Sequence, residues 1–175
     1  KYPLMNAYWE NKIPDFKQVI CPIYATAGMS HFHLRGSVNA FRKAKTRKKW
    51  MRMHRDFEWP DTYSPENLED LKKFYDRYLK DIYNGWEMTP RYRIDIMDGY
   101  EFDYQTRRPE TSFPLERTQY KRYYLDADNL TMHAEPLQKE SQVRYDGNTG
   151  VLEFDMAFDE DTELTGFMYL HLFVE

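Results

Sequence analysis

Apolar positions change their period near the middle of the chain, and the elements they predict change with it. The clearest helix spans residues 65–82. Ser64 is placed to cap it, Pro65 suits the first helical position, and Glu66 and Glu69 complement the positive end of the helix dipole. Leu68, Leu71, Tyr75, Tyr78 and Ile82 recur by three and four, with Phe74 and Leu79 widening the stripe, and Asn84-Gly85 stops the helix. Upstream, residues 19–25 form a short apolar run of the kind buried in a parallel sheet. Residues 36–44 predict a short helix with Val38 and Phe41 inward, and residues 49–54 a second strand. The first half therefore reads strand–helix–strand–helix.

Beyond residue 88 the period falls to two. Tyr92, Ile94 and Ile96 share one face, and residues 120–125 are another strand candidate. Asp146-Gly147-Asn148-Thr149-Gly150 is a hairpin-type turn between predicted strands 142–145 and 151–154. A last strand over 167–174 sets Phe167, Tyr169, His171 and Phe173 against Met168, Leu170, Leu172 and Val174. Short strands punctuated by Pro, Asp and Gly predict an antiparallel sandwich. The expected fold class is α/β followed by all-β, with domains over 1–87 and 88–175.

Charge divides at the same place. The 175 residues carry 25 Lys/Arg and 29 Asp/Glu, a net of -4. Residues 1–87 hold 16 basic and 11 acidic side chains, a net of +5, and residues 88–175 hold 9 and 18, a net of -9. Such a change of sign supports a domain boundary. Aromatic residues at 17% argue against disorder, and no apolar stretch approaches the ~20 residues of a membrane span. The single cysteine, Cys21, excludes an intrachain disulfide framework and a Cys-rich zinc site, and its apolar neighbours predict an inert core thiol. No signal peptide is visible, which points to the cytoplasm. The chain starts at Lys1 and stops inside an apolar run, as expected of a piece of a longer protein.

Candidate chemistry is sparse. None of the five serines sits in a Gly-x-Ser-x-Gly elbow, and the seven glycines form no phosphate-binding loop. His31 and His33 are two apart, so on an extended segment they face one side. With His54 and Glu58 they could hold a metal, or they could simply bond the backbone. His54 ends a predicted strand, at the edge of an α/β sheet where catalytic groups collect, and is the candidate general base. The basic run Arg42, Lys43, Lys45, Arg47, Lys48 and Lys49 suits a helix C-terminus better than nucleic acid, since the whole chain is acidic. Asp159-Glu160-Asp161 lacks the spacing of a calcium loop and reads as a solvated turn.

Several segments, taken in order, carry a resemblance. They are Tyr8-Trp9-Glu10, Cys21-Pro22-Ile23-Tyr24, His33-Leu34-Arg35-Gly36, Phe41-Arg42 and Trp50-Met51-Arg52-Met53-His54. Glu58-Trp59-Pro60-Asp61, Phe74-Tyr75-Asp76-Arg77-Tyr78-Leu79-Lys80 and Asn84-Gly85-Trp86-Glu87 follow. Phe113-Pro114-Leu115-Glu116-Arg117-Thr118, Tyr123-Tyr124-Leu125-Asp126 and Asp161-Thr162-Glu163-Leu164-Thr165-Gly166 complete the set. This series resembles the cocaine-esterase-like, X-prolyl dipeptidyl-peptidase family of α/β-hydrolases.

The resemblance implies the C-terminal part of a hydrolase sheet up to about residue 87. An incomplete antiparallel jelly-roll sandwich, galactose-binding-like and not itself catalytic, would follow. It implies acyl transfer by a Ser-His-Asp triad on a small ester or peptide substrate. No cofactor or metal, and no nucleic-acid or membrane partner, is expected from the residues themselves. The nucleophile elbow would lie before Lys1. The family's acid ends a turn that here reads Ala27-Gly28-Met29-Ser30, so Ser30 stands where a carboxylate is expected. The family's histidine falls in the stretch His54-Arg55-Asp56-Phe57-Glu58, where an aromatic or an acid, Phe57 or Glu58, stands where the imidazole belongs and His54 is offset by about one turn. Asp56 or Glu58 could serve as an acid group if the register slips. Two other roles compete with hydrolysis. One is a binding module that has lost catalysis, and the other, by fold analogy alone, is carbohydrate binding by the sandwich.

Overall fold

The computed structural model describes residues 3–99 and 102–174; Lys1 and Glu175, the chain ends noted above, lie outside them. Two compact units are present, Lys1–Glu116 and Arg117–Glu175.

The first unit opens with a one-turn helix α1 (Ala7–Glu10), capped by the Asn6 side chain. Strand β1 (Ile23–Gly28), helix α2 (Leu34–Lys43) and strand β2 (Lys49–His54) follow. Then come α3 (Glu58–Thr62), α4 (Pro65–Leu79) and the hairpin of β3 (Tyr92–Asp98) and β4 (Phe102–Glu110). These strands form one sheet in the order β1-β2-β3-β4. β1 and β3 both run parallel to β2, and β4 is antiparallel to β3. The period-two pattern of Tyr92 and Ile94 marks a buried face as expected, with both side chains buried. The strand itself does not open a separate antiparallel sheet. It extends the sheet of the first half, with Met51 opposite Tyr92 and Met53 opposite Ile94.

Alternation along β2 distributes its side chains between two helical layers. Trp50 points to α4, where it forms a buried cluster with Phe74 and Trp86, flanked by Tyr24 and Tyr78. Met51 shares the opposite face with its register partner Tyr92, whose ring lies 6.1 Å from that of Phe41 on α2. Val38 and Phe41 are the buried residues of α2, as its period predicts. Ser64 caps α4 by accepting from the Asn67 N–H, and the helix ends at Leu79, three residues short of the predicted stop. Gly85, at φ 76°, makes the left-handed turn that returns the chain, and Trp86 there is completely buried.

Polar bonds tie α4 to the sheet. Arg93 on β3 donates to both Asp70 carboxylate oxygens, at 3.2 and 2.7 Å, and to the Tyr24 hydroxyl at 2.8 Å. The Tyr24 hydroxyl in turn donates to Asp70. Burial, assisted by that carboxylate, pushes the Tyr24 phenol up to about 12.

Cys21 is exposed rather than in the core, because β1 begins only at Ile23 and the residues before it are not within a strand. The basic run behaves as a helix C-terminus: Lys49 Nζ donates to the carbonyls of Arg42 and Ala44 at 3.2 and 3.0 Å.

In the second unit, β5 (Tyr124–Asp126) and β6 (Thr131–His133) pair as a small antiparallel sheet. Asp126 shapes the turn by accepting from the Asp128 N–H at 2.9 Å. An isolated parallel bridge joins Thr131 to Asp155. The predicted turn at 146–150 forms, with the Gly150 N–H donating to the Asp146 carbonyl. The strands expected on either side of it, and the strand expected over 167–174, form no ladder among the described residues. Alternation selects which side chains would face a partner; it supplies no backbone to pair with. Tyr169 and Phe173 accordingly remain 86% and 93% exposed.

Candidate functional site

Chemistry-bearing side chains converge where β1 and β2 end. β1 stops at Gly28 and β2 at His54, register partners in the parallel pair, and the loops after both strands leave the same edge. Ligands and catalytic groups collect at this edge in open α/β sheets.

His54 is buried, 1% exposed, and its Nδ1 lies 3.3 Å from Asp61 Oδ1 on α3. Asp61 is also buried and is gripped by Arg52, whose Nη1 donates to Oδ1 at 2.7 Å while Nη2 bonds Oδ2. Arg52 and His54 are two apart on β2, so strand alternation aims both at α3. Neither nitrogen of His54 has an aligned hydrogen-bond partner among the described residues. Burial lowers the basicity of the ring; the nearby Asp61 carboxylate opposes this and the Arg52 charge adds to it.

Gly28 matters here through its missing side chain. A Cβ at this position would lie 3.1 Å from the Asp56 carbonyl oxygen and 3.3 Å from His54 Cε1.

A chain of bonds supports the pair. Asn67 Nδ2 donates to the Asp61 carbonyl at 2.7 Å, and Asn67 Oδ1 accepts from Arg107 on β4. Arg107 sits at a left-handed φ of 51°, where the β3–β4 register is irregular, and its N–H donates to Asp95 Oδ1 at 2.7 Å. Asp95 also accepts from the Arg55 N–H, next to His54. Burial pushes the Asp95 carboxyl up, against both backbone bonds.

The remaining predicted residues lie around this pair. Ser30 is exposed, and its hydroxyl donates to the Arg55 carbonyl at 3.4 Å rather than to an imidazole. Asp56 is exposed beside Arg55. His31 and His33 lie in a turn, not an extended segment, yet their rings meet at 4.4 Å. Both Nδ1 atoms lie 3.0 Å from Glu58 Oε2. Of the four residues grouped as possible metal ligands, His31, His33 and Glu58 come together, while His54 belongs to Asp61. Asp61 was not singled out as an acid from sequence. Its signal is in Glu58-Trp59-Pro60-Asp61, which places an acidic residue in a short helix that starts four residues after His54. Among the described residues, no helix is long and apolar enough to cross a membrane.

Comparison with known proteins supplies the family. Residues 84–175, just over half of the chain, match the model of the X-Pro dipeptidyl-peptidase C-terminal non-catalytic domain. A crystal structure of a CocE/NonD family hydrolase from Staphylococcus aureus is 32% identical, with a TM-score of 0.71, over 77% of this chain and 24% of that one. A second crystal structure under the same description is 30% identical, with a TM-score of 0.74, over 79% and 25%. The chain thus spans about a quarter of the length of those structures. No curated protein matches. Family model and solved structures agree with the ordered motifs, and the chain belongs to the CocE/NonD hydrolase family with an X-Pro dipeptidyl-peptidase C-terminal domain.

Proposed function

We propose that this chain supplies the acid–base part of a serine hydrolase that cleaves ester or peptide bonds through an acyl-enzyme, with the nucleophile elsewhere in the protein. The observation that carries this is the buried contact of His54 Nδ1 with Asp61 Oδ1, at the C-terminal edge of two parallel strands. Asp61 Oδ1 stands against Nδ1, which leaves Nε2, buried and without a partner among the described residues, as the nitrogen to accept the nucleophile's proton. The carboxylate then stabilises the imidazolium, and Nε2 returns the proton to the leaving group. Arg52 holds Asp61 in place, and the Asn67–Arg107–Asp95 bonds hold α3 and the loop after β2. The hydrolase sheet would include β3 and β4 and so run to Glu110. A jelly-roll domain would begin in the second unit, and its further strands would cover the exposed apolar segment 167–174.

A second reading rests on Ser30 and Phe57, which stand where the family resemblance places an acid and an imidazole. Under it the hydrolase fold is a binding module without turnover. Fluorophosphonate labelling of the full-length protein separates the two. The hydrolase reading expects labelling that His54→Gln abolishes and His133→Ala preserves. Folded protein that takes no label would favour the second reading, whereas labelling indifferent to His54→Gln would overturn the role given to His54.

A further inference from the structure

We propose that His31, His33 and Glu58 form a binding site for one divalent transition-metal ion, of which Zn²⁺ fits the donor set best. Two imidazoles and one carboxylate are a zinc ligand set of borderline softness, and a three-residue set leaves a position for water. Their donor atoms lie within 4.8 Å of one another. Both Nδ1···Oε2 separations are 3.0 Å, close to the roughly 3.3 Å edge of a tetrahedron built from bonds of about 2.0–2.1 Å.

Glu58 Oε2 is shared by the two rings, 3.0 Å from the Nδ1 of each. His31 Nδ1 also lies 3.2 Å from the His33 backbone N–H, and an ion bound there would take over the lone pair that this contact uses.

Burial also favours a built site. The His31 side chain is 1% exposed, held between Phe32, stacked at 4.1 Å, and Phe57, edge-on at 4.8 Å. The His33 side chain is 55% exposed and Glu58 23%, which leaves the outer side open for an ion to enter. His31 and His33 come from the loop after β1 and Glu58 from the first turn of α3. A bound ion would therefore join the two loops that frame His54, without replacing any part of the His54–Asp61 pair.

The test is metal uptake by the full-length protein after chelator treatment, measured by calorimetric titration with Zn²⁺. The absorption spectrum of the Co²⁺-loaded protein reports ligand geometry. One saturable equivalent is expected, weakened about tenfold or more in both Glu58→Gln and His33→Ala and unchanged in His133→Ala. Both altered side chains are partly exposed, so the fold should survive, and circular dichroism verifies it. Absence of a saturable equivalent, or uptake that both variants leave unchanged, would overturn the site. Neither outcome bears on labelling by a fluorophosphonate, so this site and the hydrolase reading fail separately.

Discussion

Two stretches of this chain carry comparably strong apolar patterns and meet different fates. From Ile23 to Glu110, strands supply one another with ladders and helices cover both faces, so Trp50, Met51, Trp86 and Tyr92 are completely buried. From residue 134 to 174, alternation is as regular, yet the described residues form only one isolated bridge, and Met168, Tyr169 and Phe173 are each more than 80% exposed. The difference shows that period assigns a face, whereas burial requires a partner to receive it. Apolar patterning in the second stretch is unused potential within these residues.

The contrast can be broken most forcefully in the first region. Trp50→Ala should cost about 3–5 kcal/mol, since it empties the centre of the Trp50–Phe74–Trp86 cluster. Chemical denaturation would show this as a lower midpoint. Asp61→Ala should cost a similar ~3–5 kcal/mol, because it strands a buried Arg52 charge. The double replacement Arg52→Met, Asp61→Leu should recover much of that loss, and a double-mutant cycle measures the coupling. Gly28→Ala should cost roughly 1–3 kcal/mol by overpacking against the Asp56 carbonyl and the His54 ring. In the second region Phe173→Ser should change the stability of the 175-residue chain by less than about 0.5 kcal/mol. In a full-length protein whose sandwich is completed by further strands, the same change should cost about 3 kcal/mol.

A pH series sharpens the same comparison without altering the core. Burial holds the folded-state pKa of His54 below its unfolded value, so the unfolded chain binds the proton more readily. The stability that depends on neutral His54 is therefore present above about pH 6.5 and is lost as pH falls through the lowered folded value. His54→Gln should flatten that slope in thermal unfolding followed between pH 7.5 and 5, and His171→Gln should leave it in place.

Much of the first region was legible in the sequence. The Ser64 cap, the stripe of α4, the inward Val38 and Phe41 and the strand ending at His54 all follow from local spacing. Local spacing does not report which sheet a strand joins. Tyr92 and Ile94 read as a half-buried strand, but their parallel pairing with β2 depends on contacts some forty residues apart. The site was legible to the same degree. His54 followed from its place at a strand end, whereas Asp61 could be assigned to it only once α3 had folded back over β2. The turn that joins the rings of His31 and His33 likewise lacked any periodic signature.

The irregularity in β4 at Arg107 has a consequence for modularity. Arg107 lies inside the segment matched by the non-catalytic domain model, yet its side chain bonds Asn67 and its backbone bonds Asp95, which also receives the Arg55 N–H. A division near residue 84, natural by sequence family, would cut through one continuous set of bonds that ends at α3 and the loop after β2. The C-terminal segment is therefore a poor cassette for exchange between relatives. A chimera would have to carry β3 and β4 together with α3 and α4, or supply an equivalent of Arg107, to keep α3 and that loop in place.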